Sequence, residues 1–282
     1  MHTLSYREGF FESYDGLRLY RRSWGKEGRA TAILVHGYGE HVGRHDYLVQ
    51  TLLDQDIQVE GMDCRGHGRS EGKRGHIEGF HQYIQDLNTF VSNTLTAHEP
   101  GKPLFLVGHS QGGHIALRYA LEHPRAPLQG VIVSSPFLGM AIDISPALHT
   151  VAHVLSRAWP TFTKGSLFDE TDLTHDSEVI AQTRRDPYYL RGNTTRWYTE
   201  TLKAQNLTMK RAADFQFPLL MQQSGQDHLV NKHTAQEFFE ATRSSDRQRF
   251  EYSDSLHEIY NETLDRREQA FQHLRSWLND HI

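Results

Sequence analysis

One cysteine, Cys64, in 282 residues excludes a disulfide framework. No run of about 18 apolar residues occurs, so no transmembrane helix is expected. The opening stretch MHTLSYREGFFESYDG lacks an uninterrupted apolar core ahead of a cleavage site, and it is not expected to act as a secretory signal. These absences are compatible with a reducing compartment, and the expectation is a cytoplasmic protein. Basic blocks are also missing. With 30 Lys and Arg against 35 Asp and Glu, the net charge is −5, which argues against a nucleic-acid partner. The chain carries no internal repeat and no low-complexity tract. What remains is ordinary: 37% hydrophobic residues, a negative mean hydropathy and enough length for a sizeable core.

Strand-like and helical patterns alternate along the chain. GFFES and LRLYRRSW flank Tyr14-Asp15-Gly16, an Asp-Gly hairpin turn in which both residues tolerate positive φ. Short apolar runs follow at 30–35, 57–62, 104–107, 130–134 and 219–223, with a last short strand at 249–252. Between them, helical spacing appears at 44–55, at 79–98 ahead of Pro100-Gly101, and at about 111–122. Leu264, Phe271, Leu274 and Leu278 give a C-terminal amphipathic helix. This alternation predicts an α/β fold with a mainly parallel central sheet flanked by helices. Residues 137–214 break it: they are mostly helical in pattern, polar, and punctuated by Pro146, Pro160 and Pro187. They read as an insertion over the sheet edge where α/β folds place ligands. The expected division is a core of 1–136 and 215–282, with 137–214 as an inserted cap.

The strand PLFLV runs straight into Gly108-His109-Ser110-Gln111-Gly112-Gly113. A buried strand that turns at once into a helix needs a tight corner. G-x-S-x-G removes side chains there and lifts the serine Oγ above the carboxyl edge of the sheet. The plainer reading is a serine capping the next helix. A serine hydroxyl needs a base, and the base an orienting acid, in the chain order Ser, Asp or Glu, His. Asp227 follows the strand LLMQQ, and His257 follows the last short strand. Each alone reads as a surface aspartate or a loop histidine; the order of all three favours a triad of Ser110, Asp227 and His257. Asp254 competes as the acid, but at three residues from His257 it is better placed to shape the loop. The glycine-rich HGYGEH (36–41) after a strand suggests the backbone N–H groups of Tyr38 and Gln111 as an oxyanion hole.

Other candidates are weaker. His41/His45 and His149/His153 have helical i,i+4 spacing, yet no carboxylate or cysteine set completes a metal site, so no metal is expected. Asp63-Cys64-Arg65-Gly66-His67-Gly68 lacks the third glycine of a dinucleotide fingerprint and reads as a tight, self-satisfied loop. Cys64 reads as a small strand-end residue. In the insertion, Ser145-Pro146 is a helix start, and Leu148, Val151, Leu155 and Trp159 recur at helical spacing beyond it. That stripe either packs the insertion onto the core or lines a channel for an acyl chain.

Taken together, HGYGEH (36–41), DCRGHGRSEG (63–72), GHSQGG (108–113), SGQDHLV (224–230) and His257 resemble the monoacylglycerol lipase and lysophospholipase family of serine hydrolases, of the α/β-hydrolase fold. The resemblance spans most of the chain outside the insertion. It implies a small-molecule substrate, an ester of a single-chain acyl lipid, with residues 137–214 as a helical cap that makes transient contact with a membrane surface. It also implies no cofactor. Two rivals share parts of the pattern. An aminopeptidase or small-ester carboxylesterase would use the same triad, with Asp169, Glu170 and Asp172 as candidates for holding a free amine. A non-catalytic scaffold of this fold should have lost a triad residue, and none is missing.

Overall fold

The computed structural model describes residues 4–26, 28–97, 101–142, 144–165 and 169–282. The chain opens with the hairpin β1 (Tyr6–Glu12) and β2 (Arg18–Trp24), turning at Asp15-Gly16, where Gly16 has φ +81°. β3 (Ala30–Val35), α1 (Asp46–Leu53), β4 (Ile57–Met62), α2 (His81–Ala97), β5 (Leu104–His109), α3 (Gln111–Glu122) and β6 (Gly130–Ser134) follow in strict alternation. The expected end of α2, at residue 98 before Pro100, lies outside the described residues. After the insertion come β9 (Leu219–Ser224), α7 (Lys232–Ala241), β10 (Arg247–Tyr252) and α8 (Leu264–His281).

Among the described residues these strands form one eight-stranded sheet in the order β1-β2-β4-β3-β5-β6-β9-β10. β1–β2 and β2–β4 are antiparallel, and every other pairing is parallel. β3, β4, β5, β6 and β9 are buried along their whole length, as a parallel sheet covered on both faces requires. Alternate residues divide the core. Ile33, Val35, Leu106 and Val133 pack with Leu87 and Phe90 of α2 and Ile115 of α3. Ala32, Leu34, Phe105 and Ile132 pack with Leu48 and Leu52 of α1 and with Leu274 and Trp277 of α8. The fold is the mainly parallel, helix-flanked sheet that the sequence pattern predicts.

The segment between β6 and β9 contributes no strand to this sheet among the described residues. It holds α4 (Pro146–Ala158), α5 (Ser177–Arg185) and α6 (Thr195–Lys210). α4 starts as its sequence suggests, with Ser145 as N-cap accepting from the Leu148 amide and proline in the first turn. An unexpected element is a small antiparallel ribbon of β7 (Thr163–Gly165) and β8 (Gly192–Thr194). Thr194, its last residue, caps α6 by accepting from the Trp197 amide.

Candidate active site

The loops that leave the carboxyl ends of β3, β5, β9 and β10 meet residues of the segment between β6 and β9 around one cavity. β5 turns into α3 at Ser110, whose φ is +51° and ψ −115°. This is a conformation that a residue with a Cβ occupies only under strain, and Ser110 makes no side-chain cap to the helix. The backbone holds it there: the Ser110 amide donates to Ser134 O (2.9 Å), and its carbonyl accepts from His114 N (3.1 Å) and Phe137 N (2.9 Å). The flanking glycines are steric necessities. A Cβ on Gly108 would stand 2.4 Å from Gly112 O, and one on Gly112 would stand 2.1 Å from Val35 O.

The acid loop after β9 and the histidine loop after β10 are tied together by Gly225 N to Tyr252 O (2.8 Å), Gln226 N to Ser255 O (3.1 Å) and Ser224 Oγ to Ser255 O (2.8 Å). They bring Asp227 Oδ2 to 2.8 Å from His257 Nδ1. The other oxygen of Asp227 accepts from the amides of Leu229 (3.0 Å) and Val230 (2.9 Å). Asp254 is exposed and takes a hydrogen bond from neighbouring Ser253. Burial works against the Asp227 carboxylate, but His257 and the two amides outweigh it and hold its pKa below the ordinary value. Burial likewise pulls the His257 imidazole down. The Asp227 carboxylate, with Glu258 and Glu40 further off, outweighs that and raises it above its usual value.

Ser110 and His257 line one cavity of about 610 Å³. Tyr38 lines it too; its ring packs on Trp197 at 4.0 Å, and its hydroxyl donates to Gly192 O at 2.8 Å. Gln111, the first residue of α3, is fully buried, and its side-chain oxygen accepts from Trp197 Nε1 (2.8 Å), leaving its backbone beside Ser110. Leu148, Val151 and Leu155 of α4 form part of the wall. Trp159 does not: α4 stops at Ala158, and the Trp159 ring is exposed, resting against Phe162 at 5.3 Å. Phe162 is on the wall instead.

The acidic residues of the insertion are neutralised rather than open. Asp169 and Glu170 line the cavity, but Arg184 reaches both (3.2 and 3.5 Å) and Arg191 reaches Glu170 at 3.2 Å. Asp172 lies off the wall, 3.3 Å from His228. Three of the four spaced histidines have other partners: His41 meets Asp186 (2.7 Å), His45 meets Glu40 (3.1 Å) and His149 meets Tyr198 (3.0 Å), while His153 is exposed. Among the described residues no three His, Cys, Asp or Glu side chains gather to hold a metal ion. The 63–72 loop is only partly self-satisfied: Asp63 accepts from Arg69 N (2.8 Å), but it also accepts from Val42 N (2.9 Å), and Arg65 reaches out to Asp86 (2.6 Å) and Asp15 (2.9 Å). Cys64 is buried, and its amide donates to His36 Nε2 (2.9 Å).

Sequence reasoning assigned no role to Glu40, Arg44 and Glu258, which also line the cavity. Glu40 and Glu258 sit inside quoted motifs, and Glu258 directly follows His257, which is a usable signal. Arg44 carries only the i,i+4 spacing from Glu40, since its contact with Glu258 spans 214 positions.

Comparison with known proteins gives the family of the chain. A model of the family described as serine aminopeptidase, S33, matches residues 26–264. Phospholipase YtpA of Bacillus subtilis is 30% identical over 254 residues, covering 90% of this chain and 96% of the relative. A monoacylglycerol lipase of Mycolicibacterium smegmatis is 29% identical over 278 residues, covering 98% of each. The crystal structure of a Paleococcus ferrophilus monoacylglycerol lipase, 26% identical, superposes with a TM-score of 0.84 over 94% of this chain and 99% of that one. With its sheet, its strained serine corner and this end-to-end likeness, the chain belongs to the serine aminopeptidase S33 family of α/β-hydrolases and stands among that family's serine ester hydrolases.

Proposed function

We propose that the protein hydrolyses esters of single-chain acyl lipids, with Ser110 as nucleophile, His257 as general base and Asp227 as the orienting acid. The observation that carries this reading is a strained serine and a carboxylate-held histidine on the wall of one cavity. His257 takes the Ser110 proton as Oγ attacks the ester carbonyl. Asp227 fixes the tautomer with the proton on Nδ1 and stabilises the imidazolium. The amides of Tyr38 and Gln111 receive the oxyanion, helped by the positive end of α3. His257 then protonates the departing alcohol, and water repeats the sequence on the acyl-enzyme, regenerating Ser110 and releasing the fatty acid.

The cavity supports an uncharged head group. The two guanidiniums on its walls, Arg44 and Arg191, are already committed to Glu40, Glu258 and Glu170, which leaves neither free to hold a phosphate. A neutral glycerol ester fits it better than a lysophospholipid, and the ion-paired Asp169 and Glu170 offer a free amine little. The acyl chain runs toward Leu148, Val151 and Leu155, with residues 137–214 acting as a cap. Val151, Val154 and Trp159 are more than half exposed, at 51%, 60% and 59%, and suit transient contact with a lipid surface. Among the described residues no helix is long and apolar enough to cross a membrane.

The test is a fluorophosphonate probe with mapping of the labelled residue, followed by turnover of monoacylglycerols, lysophospholipids and aminoacyl amides. Label on Ser110 and highest kcat/KM on monoacylglycerols are expected. Absence of label defeats the triad; faster turnover of lysophospholipids or of amides replaces the substrate reading.

A further inference from the structure

On the cavity wall lies a largely buried ion cluster that the proposed mechanism does not use. Arg44 Nη1 donates to Glu258 Oε1 (2.8 Å) and Glu40 Oε2 (3.2 Å), while Nη2 donates to Glu258 Oε2 (3.1 Å) and to Thr183 Oγ1 of α5 (2.7 Å). All three charged side chains are at most 8% exposed. Each carboxylate is committed on its far side as well. Glu40 Oε1 accepts from the Gly37 amide (2.6 Å), one residue before Tyr38, and His45 Nε2 stands 3.1 Å from its other oxygen. Glu258 Oε2 accepts from Asn261 Nδ2 (2.8 Å), and the Glu258 amide donates to Leu173 O (2.8 Å) in the insertion.

Burying two carboxylates and a guanidinium is a poor route to stability, because desolvation offsets much of the attraction. Its effect here is geometric. The loop bearing Tyr38 and the loop bearing His257 come from strands on opposite sides of β5. Hydrogen bonds of the sheet do not fix one loop against the other. The planar guanidinium does so with a forked contact, which an ammonium cannot reproduce.

We propose that Arg44 is a positioning residue for the hydrolysis: clamped between Glu40 and Glu258, it sets the distance between the oxyanion-binding amide of Tyr38 and the imidazole of His257. The inference rests on the ester-hydrolase reading above and adds a residue to it. Arg44 acts through the two loops and takes no part in proton transfer. Its role is felt most when the oxyanion and the imidazolium exist together, so it belongs to kcat and little to KM.

Arg44→Lys keeps the charge and loses the fork. On a short soluble ester, with active sites counted by fluorophosphonate titration, kcat per site should fall about 10- to 100-fold, the scale of a misplaced catalytic group, with KM within about twofold. Its pH profile should keep the wild-type acid limb, since no charge has changed. Glu258→Gln also lowers kcat, but its acid limb should move to lower pH. The charged and titratable groups around His257 are Asp227 after β9, His109 at the end of β5, Glu40 after β3 and Glu258 beside it, and this variant removes one anion from the set. Thr183→Val deletes only the outermost acceptor of the guanidinium and serves if Arg44→Lys folds poorly; it should show the same kcat-only loss on a smaller scale. Wild-type kcat per titrated site in Arg44→Lys and Thr183→Val, or losses confined to KM, would overturn the clamp. A wild-type protein that neither takes the probe nor cleaves esters would overturn the underlying reading instead.

Discussion

His257 Nδ1 meets Asp227 Oδ2 at 2.8 Å across a gap of 30 residues, whereas Asp254, only three residues away in sequence, points to solvent. The buried partner is the one whose charge acts at low dielectric. Asp227→Asn should lower kcat by about 10⁴-fold, the cost of a wrongly held tautomer. Asp254→Asn should stay within about twofold of wild type. The opposite ranking in steady-state ester hydrolysis would move the acid to Asp254.

The backbone of Ser110 makes a paired prediction about activity and stability. Ser110→Ala keeps a Cβ at φ +51°, so its stability should match wild type while kcat falls by about 10³-fold or more. Ser110→Gly is equally inactive but sheds the strain. Relief of about 1–3 kcal/mol, less about 0.4–1 kcal/mol of added freedom in the unfolded chain, leaves a net gain of about 1 kcal/mol. Urea unfolding of both variants reads the difference directly, and a glycine variant no more stable than the alanine one would remove strain from the account of this corner.

The pH dependence follows from His257. A general base works as the neutral ring, and Asp227, outweighing burial, holds this ring's pKa above its ordinary 6.5. Activity is therefore lost as pH falls through a value above 6.5, with Asp227 ionised throughout. A kcat/KM profile whose acid limb has its midpoint below 6.5 would contradict that balance.

Acyl-chain preference tests the wall formed by α4. Each buried CH₂ contributes about 0.8 kcal/mol, so kcat/KM on glycerol esters should rise by up to about fourfold per carbon until the cavity is full. Leu155→Asp should flatten the rise while leaving acetyl esters largely unchanged. Trp159→Asp, off the wall, should weaken binding to phospholipid vesicles and leave turnover of monomeric substrate alone. Equal efficiency on acetyl and decanoyl esters below micelle formation would end the acyl-channel reading.

The central strands were legible because they are buried on both faces and most of them read as apolar runs, as in Ala30–Val35 and residues 104–107. β10 starts two residues before the expected strand, at Arg247, because an edge strand exposes Arg247 and Gln248 and blunts the pattern. The ribbon of β7 and β8 was not legible. Three-residue strands built from Thr, Lys, Gly and Asn carry no periodicity, and their pairing depends on the packing around α6. Among site residues, Ser110, Asp227 and His257 could be nominated because each follows a recognisable strand. Trp159 continued the spacing of α4 on paper, but the helix ends one residue earlier. Arg44 was half visible: Glu40 stands four residues before it, a spacing open to inspection, but Glu258 and Thr183 are set by topology, and without them the pair reads as an ordinary surface contact.

The strain at residue 110 belongs to the corner and not to serine. Any side chain with a Cβ meets the same backbone there, held by Ser134 O on one side and by the amides of His114 and Phe137 on the other. Exchanging the hydroxyl for a thiol of nearly the same size thus leaves the backbone demand at this corner unchanged. For this scaffold the nucleophile is an interchangeable part. The glycines at 108 and 112 are not, since each is pressed against a neighbouring main chain. Substitution at residue 110 therefore tests the chemistry of the site, whereas substitution at residues 108 and 112 tests only whether the corner still closes.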